Sequence, residues 1–112
     1  VDGLAVAVGS SHAMVEKQAT LDLTRIQEIA AAVPVPLVLH GSSGVPREQL
    51  VAAVEGGIRK INISTELNKT FTEAIREVLA ADEAIVDPRK YLKVSKSQLE
   101  AHVVDYLLLL CS

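Results

Sequence analysis

The stretch Val35–Pro46, "VPLVLHGSSGVP", joins an apolar run, a histidine, a small-residue loop and a proline that suits the first turn of a helix. Pro34 and Pro36 cannot donate to a sheet ladder, so regular pairing is expected only in the later part of Val35–Leu39. An apolar run passing through such a loop into a helix is the strand-to-helix step of a layered α/β protein, whose strands are covered on both faces.

Outward from this stretch the step recurs. Gly3–Val8 (GLAVAV) reads as a buried strand closed by Gly9, and Asp22 can cap a helix that carries Leu23, Ile26, Ile29, Ala30 and Val33 at helical spacing. Beyond Pro46, Leu50, Val51 and Val54 face inward, with Gly56-Gly57 as the stop. Ile58–Ile63 (IRKINI) predicts a third strand, and Ser64-Thr65 are capping residues for a helix with Leu67, Phe71, Ile75, Val78 and Leu79 as its core stripe. "DPRKYL" reads as a loop before a last helix. There Ser95 and Gln98 make a capping-box pattern, and Leu99, Val103, Tyr106, Leu107 and Leu110 face inward. The alternation predicts right-handed parallel βα units. Three strands cannot close a barrel, so the chain is expected either to assemble with something else or to form part of a (β/α)8 barrel.

Composition agrees with one such domain. With 49% hydrophobic but 3% aromatic residues, the core must be built from Val, Leu, Ile and Ala. The net charge of −3, without a run of Lys and Arg that could track a phosphate backbone, argues against nucleic acid as a partner. No stretch reaches the ~18 apolar residues of a membrane span. The single cysteine, Cys111, cannot form an intramolecular disulfide and suits a reducing cytoplasm. The chain opens almost inside a strand, as expected of a piece of a longer protein.

In parallel α/β architectures chemistry gathers where the strands end and the loops converge. Here the strands end in "GSSH", "HGSSG" and "NIST", so all three polar clusters are expected on one face. Neutral imidazoles from His12 and His40 can bind Zn²⁺ there, or each can hydrogen-bond a loop carbonyl. Gly41-Ser42-Ser43-Gly44 and Asn62-Ile63-Ser64-Thr65 both run into helices. Their N–H groups and hydroxyls make an anion site, or they only cap. Lys17 can neutralise a phosphate or stay solvated. Glu66 and Lys69 read as exposed, His102 as surface or packing, and Arg89 and Tyr91 as pinning the last helix or reaching a partner subunit.

"AVGSSH", "VPLVLHGSSGVP", "GIRKINISTEL" and "DPRKYL", in this order and spacing, resemble the C-terminal part of the class II, metal-dependent ketose-bisphosphate aldolases, over essentially the whole chain. The likeness is especially close to the branch of fructose- and tagatose-bisphosphate enzymes. It implies that residues 1–112 are the C-terminal segment of one (β/α)8 TIM-barrel domain, with strands six to eight and their helices. His12 and His40 would be two of three histidine ligands of a catalytic Zn²⁺, with a monovalent cation such as Na⁺ or K⁺ allowed near the phosphate site. Ala13, Lys17, Gly41, Ser43, Asn62, Ser64 and Thr65 would contact the substrate or its phosphate. The third histidine, the catalytic Asp and a proton-transferring Glu would lie upstream, so this segment alone is expected to be inactive.

The implied reaction is reversible cleavage of a ketose (bis)phosphate to dihydroxyacetone phosphate and an aldehyde, in a cytoplasmic homodimer or homotetramer. Ala13 stands where the family usually has Gly. Ser64 stands where the fructose-type motif has Asp, and Asn68 where it has a basic residue. An aldolase of inositol breakdown, or another that yields dihydroxyacetone phosphate, is therefore an alternative. A non-catalytic, self-associating half-barrel that binds metal or phosphate is another.

Overall fold

Three short strands, β1 (Leu4–Ala5), β2 (Leu37–Leu39) and β3 (Ile58–Ile61), form a parallel sheet in the order β1-β2-β3. The computed structural model describes residues 1–10 and 19–111, and it divides into two units, Val1–Ile63 and Ser64–Ser112. The fold class is α/β, as the alternating periods predict. In the first unit α1 (Leu23–Ala32) lies between β1 and β2, and α2 (Arg47–Gly56) between β2 and β3.

The prolines limit β2 as expected: pairing begins at Leu37, opposite Leu4 and Ile58. The first strand is shorter than Gly3–Val8. The Val6 N–H still donates to the Val38 carbonyl at 3.3 Å, but the Val8 carbonyl accepts from the Asp22 N–H at 2.9 Å, away from the ladder. The third ends at Ile61 rather than Ile63, and its register slips opposite Leu37–Val38.

Asp22 caps α1 as read, its carboxylate accepting from the Arg25 N–H at 2.9 Å. Ile26 of α1, Leu50 and Ala53 of α2, Leu37 and Leu39 of β2, and Ile58 of β3 are all essentially inaccessible and form this unit's aliphatic core. Gly57 ends α2 at φ +126°, a backbone conformation that favours glycine. A Cβ there would also sit 2.6 Å from the Ala30 Cβ, so the same glycine lets α1 approach the end of α2. The Arg59 guanidinium donates to the Val54 carbonyl at 3.0 Å and satisfies one of the acceptors that the end of α2 leaves over.

The second unit is a helical hairpin of α3 (Thr65–Ala81) and α4 (Pro88–Leu110). The Tyr106 hydroxyl, near the end of α4, donates to Glu66, near the start of α3, at 2.8 Å, so the two helices run antiparallel. Glu66 is thus not the exposed residue its position predicts; its side chain is only 18% accessible. His102 is a packing residue, its ring 5.2 Å from that of Tyr106 and its Nε2 3.5 Å from a Glu66 oxygen.

The start of α4 differs from the reading of "DPRKYL" as a loop. Asp87 is the cap and Pro88 occupies the first turn, so the helix begins seven residues before the expected Ser95. Ser95 lies inside the helix, fully buried, and its hydroxyl donates to the Tyr91 carbonyl at 2.8 Å. Serine uses the same short hydroxyl to cap a helix or to bond one turn back within it, which is why the local pattern misleads. Of the expected inward stripe, Tyr106 is buried while Val103 and Leu107 are exposed. In α3 the fully buried position is Ala74, and Leu79 is exposed.

Asp87 also pairs with Arg89, whose guanidinium nitrogens donate to both carboxylate oxygens, the shortest bond being 2.7 Å. Those side-chain bonds, and then the Arg89 backbone N–H, hold the Asp87 carboxyl below its ordinary value of 3.8. Because the folded value is depressed, the stabilisation is present above the unfolded value and is lost as pH falls through the folded one. Carboxyl carbon shifts followed by NMR should place the Asp87 midpoint below that of an ordinary aspartate. In Arg89→Ala the midpoint should rise.

Candidate functional site

His40 follows the last residue of β2 and is exposed, because the strand ends there and its side chain leaves the core that Leu39 enters. Three attachments surround it. The Ser10 hydroxyl, beyond β1, donates to the His40 carbonyl. The Asn62 N–H, one residue past β3, donates to the Leu39 carbonyl at 3.0 Å. The Asn62 side-chain nitrogen lies 3.2 Å from Nε2 and 3.5 Å from Nδ1 of the His40 ring. The ends of all three strands thus meet around His40, Ser10 at its backbone carbonyl and Asn62 at its imidazole, as the first unit's topology requires.

The loop after His40 is a single 3₁₀ turn, Ser42–Gly44, entered through Gly41 in the left-handed conformation (φ +66°, ψ +31°). That backbone reversal is the one glycine adopts most readily, and it turns the chain sharply away from the strand. Ser42 is buried, and its hydroxyl donates to the Asn62 carbonyl at 2.8 Å. The Ser43 Oγ is also buried, yet has no hydrogen-bond partner among the described residues. Buried hydroxyls are rarely left so, and an orphaned one suits an acceptor brought by a ligand. A cavity of about 280 Å³ lies beside the strand ends, lined by Ala5, Val6, Ala7, Ser10, His40 and Gly41.

Ser64 and Thr65 belong to the second unit. Ser64 stands at the cap position of α3, but its side chain makes no capping bond. Thr65 opens the helix and lines a shallow groove of about 280 Å³ with Asn68, Lys69, Thr72, Glu73 and Arg76, residues spaced to share one helix face. His12, Ala13 and Lys17 lie outside the described residues. The sequence reading placed Ser10 in a strand-end cluster and Ser42 in a candidate anion loop, but it did not assign either the partner that it has here. Both sit in small-polar loops whose composition announces a turn but names no partner.

Among the described residues no group of three or more His, Cys, Asp and Glu is placed to hold a metal ion. They bring one imidazole, His40, to the strand ends. A single exposed imidazole beside a cavity fits a ligand that shares a metal with donors from elsewhere. No helix among the described residues is long and apolar enough to cross a membrane.

The sequence model of the family described as fructose-bisphosphate aldolase class-II matches residues 1–112. This chain belongs to that family. Solved structures agree with it. The YdjI aldolase of Escherichia coli K12 is 28% identical, with a TM-score of 0.80 over 97% of this chain and 38% of its own. A fructose-1,6-biphosphate aldolase candidate from Coccidioides immitis is 25% identical, with a TM-score of 0.84 over 98% of this chain and 38% of its own. A fructose-bisphosphate aldolase of Campylobacter jejuni, 20% identical with a TM-score of 0.78 over 95% of this chain and 39% of its own, shares the fold. The chain spans 38% of the length of the first two aldolases.

Proposed function

We propose that this chain is the C-terminal portion of a (β/α)8 class II aldolase, with β1, β2 and β3 as the sixth, seventh and eighth barrel strands. The complete enzyme would cleave a ketose (bis)phosphate reversibly to dihydroxyacetone phosphate and an aldehyde. The observation that carries this reading is the family match over all 112 residues, with His40 at a strand end beside a polar turn and a cavity.

In this reading His40 and His12 hold Zn²⁺ together with a third ligand from the upstream part of the barrel. When bound, the metal polarises the ketone carbonyl of the substrate. The residues of this segment bind and orient. Gly41 and Ser43 take the substrate phosphate, and the buried, unpartnered Ser43 hydroxyl is the observation that favours this role. Asn62, Ser64 and Thr65 donate to the ketose phosphate, and the backbone N–H of Ala13 and the ammonium of Lys17 complete its neutralisation, with Na⁺ or K⁺ nearby. Proton transfer falls to carboxylates upstream, so the segment alone would not turn over. The neutral Ser64 and Asn68, in place of an acid and a base, argue against fructose 1,6-bisphosphate and for a tagatose-type, inositol-breakdown or other substrate that yields dihydroxyacetone phosphate, and the whole enzyme would be a cytoplasmic homodimer or homotetramer.

The test is release of dihydroxyacetone phosphate by the full-length protein from each bisphosphate. EDTA should abolish the release and Zn²⁺ restore it. Cleavage insensitive to EDTA, or none with any ketose phosphate, would overturn the proposal.

A further inference from the structure

We infer that Ser42 is a positioning residue for Asn62: its hydroxyl holds the Asn62 peptide, and through it the Asn62 amide, against the His40 ring. The inference rests on the aldolase reading for its kinetic consequence and on the geometry of the first unit alone for the contact itself.

Asn62 lies one residue past the last ladder position of β3, where a strand would ordinarily fray. Both of its backbone polar groups are nevertheless engaged. Its N–H donates to the Leu39 carbonyl at 3.0 Å, and its carbonyl accepts the Ser42 hydroxyl at 2.8 Å. With the peptide held on both sides, only the two side-chain torsions remain to place the amide, whose nitrogen sits 3.2 Å from His40 Nε2. Ser42 thus extends the order of β3 by one residue, to the one that faces the imidazole.

A carbonyl can only accept, so the Ser42 hydroxyl must be the donor, and its removal leaves the Asn62 carbonyl without this partner. Ser42 is 4% accessible, so water cannot readily take the place of the hydroxyl. The neighbouring Ser43 aims its own oxygen elsewhere, unpartnered, so the two serines of one turn do different work. One is available to a ligand; the other fixes the residue across the strand ends.

The experiment is a double-mutant cycle in the full-length enzyme on Ser42→Ala and Asn62→Ala, with Ser42→Thr as the variant that keeps the hydroxyl. Ser42→Ala should raise KM for the ketose phosphate about three- to tenfold, the range one neutral hydrogen bond spans, with a smaller change in kcat. Ser42→Thr should restore KM, and the double variant should be no worse than Asn62→Ala alone, because Ser42 acts through Asn62. Effects that multiply, or an unchanged KM in Ser42→Ala, would overturn the inference. NMR of the Asn62 side-chain amide reads the contact without turnover. Its two proton signals should shift toward those of a free amide in Ser42→Ala, and unchanged signals would also overturn the inference. A wild-type enzyme that cleaves no ketose phosphate sinks the aldolase reading and leaves the NMR comparison to decide on Ser42.

Discussion

His40→Ala in the full-length enzyme is expected to lower kcat/KM by more than about 100-fold and to lower its bound zinc. Loss of an outer partner that merely orients a metal ligand costs roughly ten- to hundredfold in affinity or activity, and a ligand should exceed that. The fold should survive, because His40 is exposed at a strand end and its carbonyl bond to Ser10 is made by the backbone. The discriminating measurement is metal content per chain alongside steady-state kinetics. A variant that keeps both its zinc and its turnover would show that His40 only supports the loop. A variant that keeps its metal but loses turnover would make His40 a substrate contact instead.

Leu39→Ala, one residue earlier, should act through stability instead. Leu39 is fully buried in β2, the central strand, and pairs with Ile61. Removing its terminal isopropyl group loses the transfer free energy and leaves a cavity that the flanking strands can only partly close. The expected cost is about 2–5 kcal/mol, a large fraction of the ~5–15 kcal/mol that holds a domain together. Because the Leu39 carbonyl also receives the Asn62 N–H, a relaxed β2 should disturb the site before the chain unfolds. Urea denaturation checks the first expectation through a lower midpoint at unchanged slope. An activity loss at urea concentrations where the far-UV signal is still native would check the second. An unfolding free energy within about 0.5 kcal/mol of wild type, the ordinary range of surface substitutions, would mean that this position is not core.

The two substitutions separate two kinds of information in "VLHGSS". Alternation of strand and helix, the cap at Asp22, the proline limit on β2 and the stop at Gly57 were legible because each depends on residues within one turn or one strand. Where local signals competed, the reading failed. Ser95 and Gln98 look like a helix start, but the start is Asp87 with Pro88, and Ser95 bonds back to Tyr91 inside the helix. Helical spacing placed Val103 and Leu107 inward, yet both are exposed, since the stripe says which residues share a face and not which face another element covers.

The candidate site divides in the same way. The sequence by itself determined the order of elements, the histidine at the end of an apolar strand and the small-residue turn behind it, because propensity, proline geometry and glycine freedom act over a few residues. The tertiary structure alone decided that the Asn62 amide meets the His40 ring, 22 positions apart, and that Ser42 rather than Ser43 reaches the Asn62 carbonyl, 20 positions apart. Those meetings are set by the register of β3 on β2, including its slip opposite Leu37–Val38. A shift of one residue would turn Asn62 to the other face of the sheet, and register is fixed by the packing of both strands rather than by the residues that end up touching.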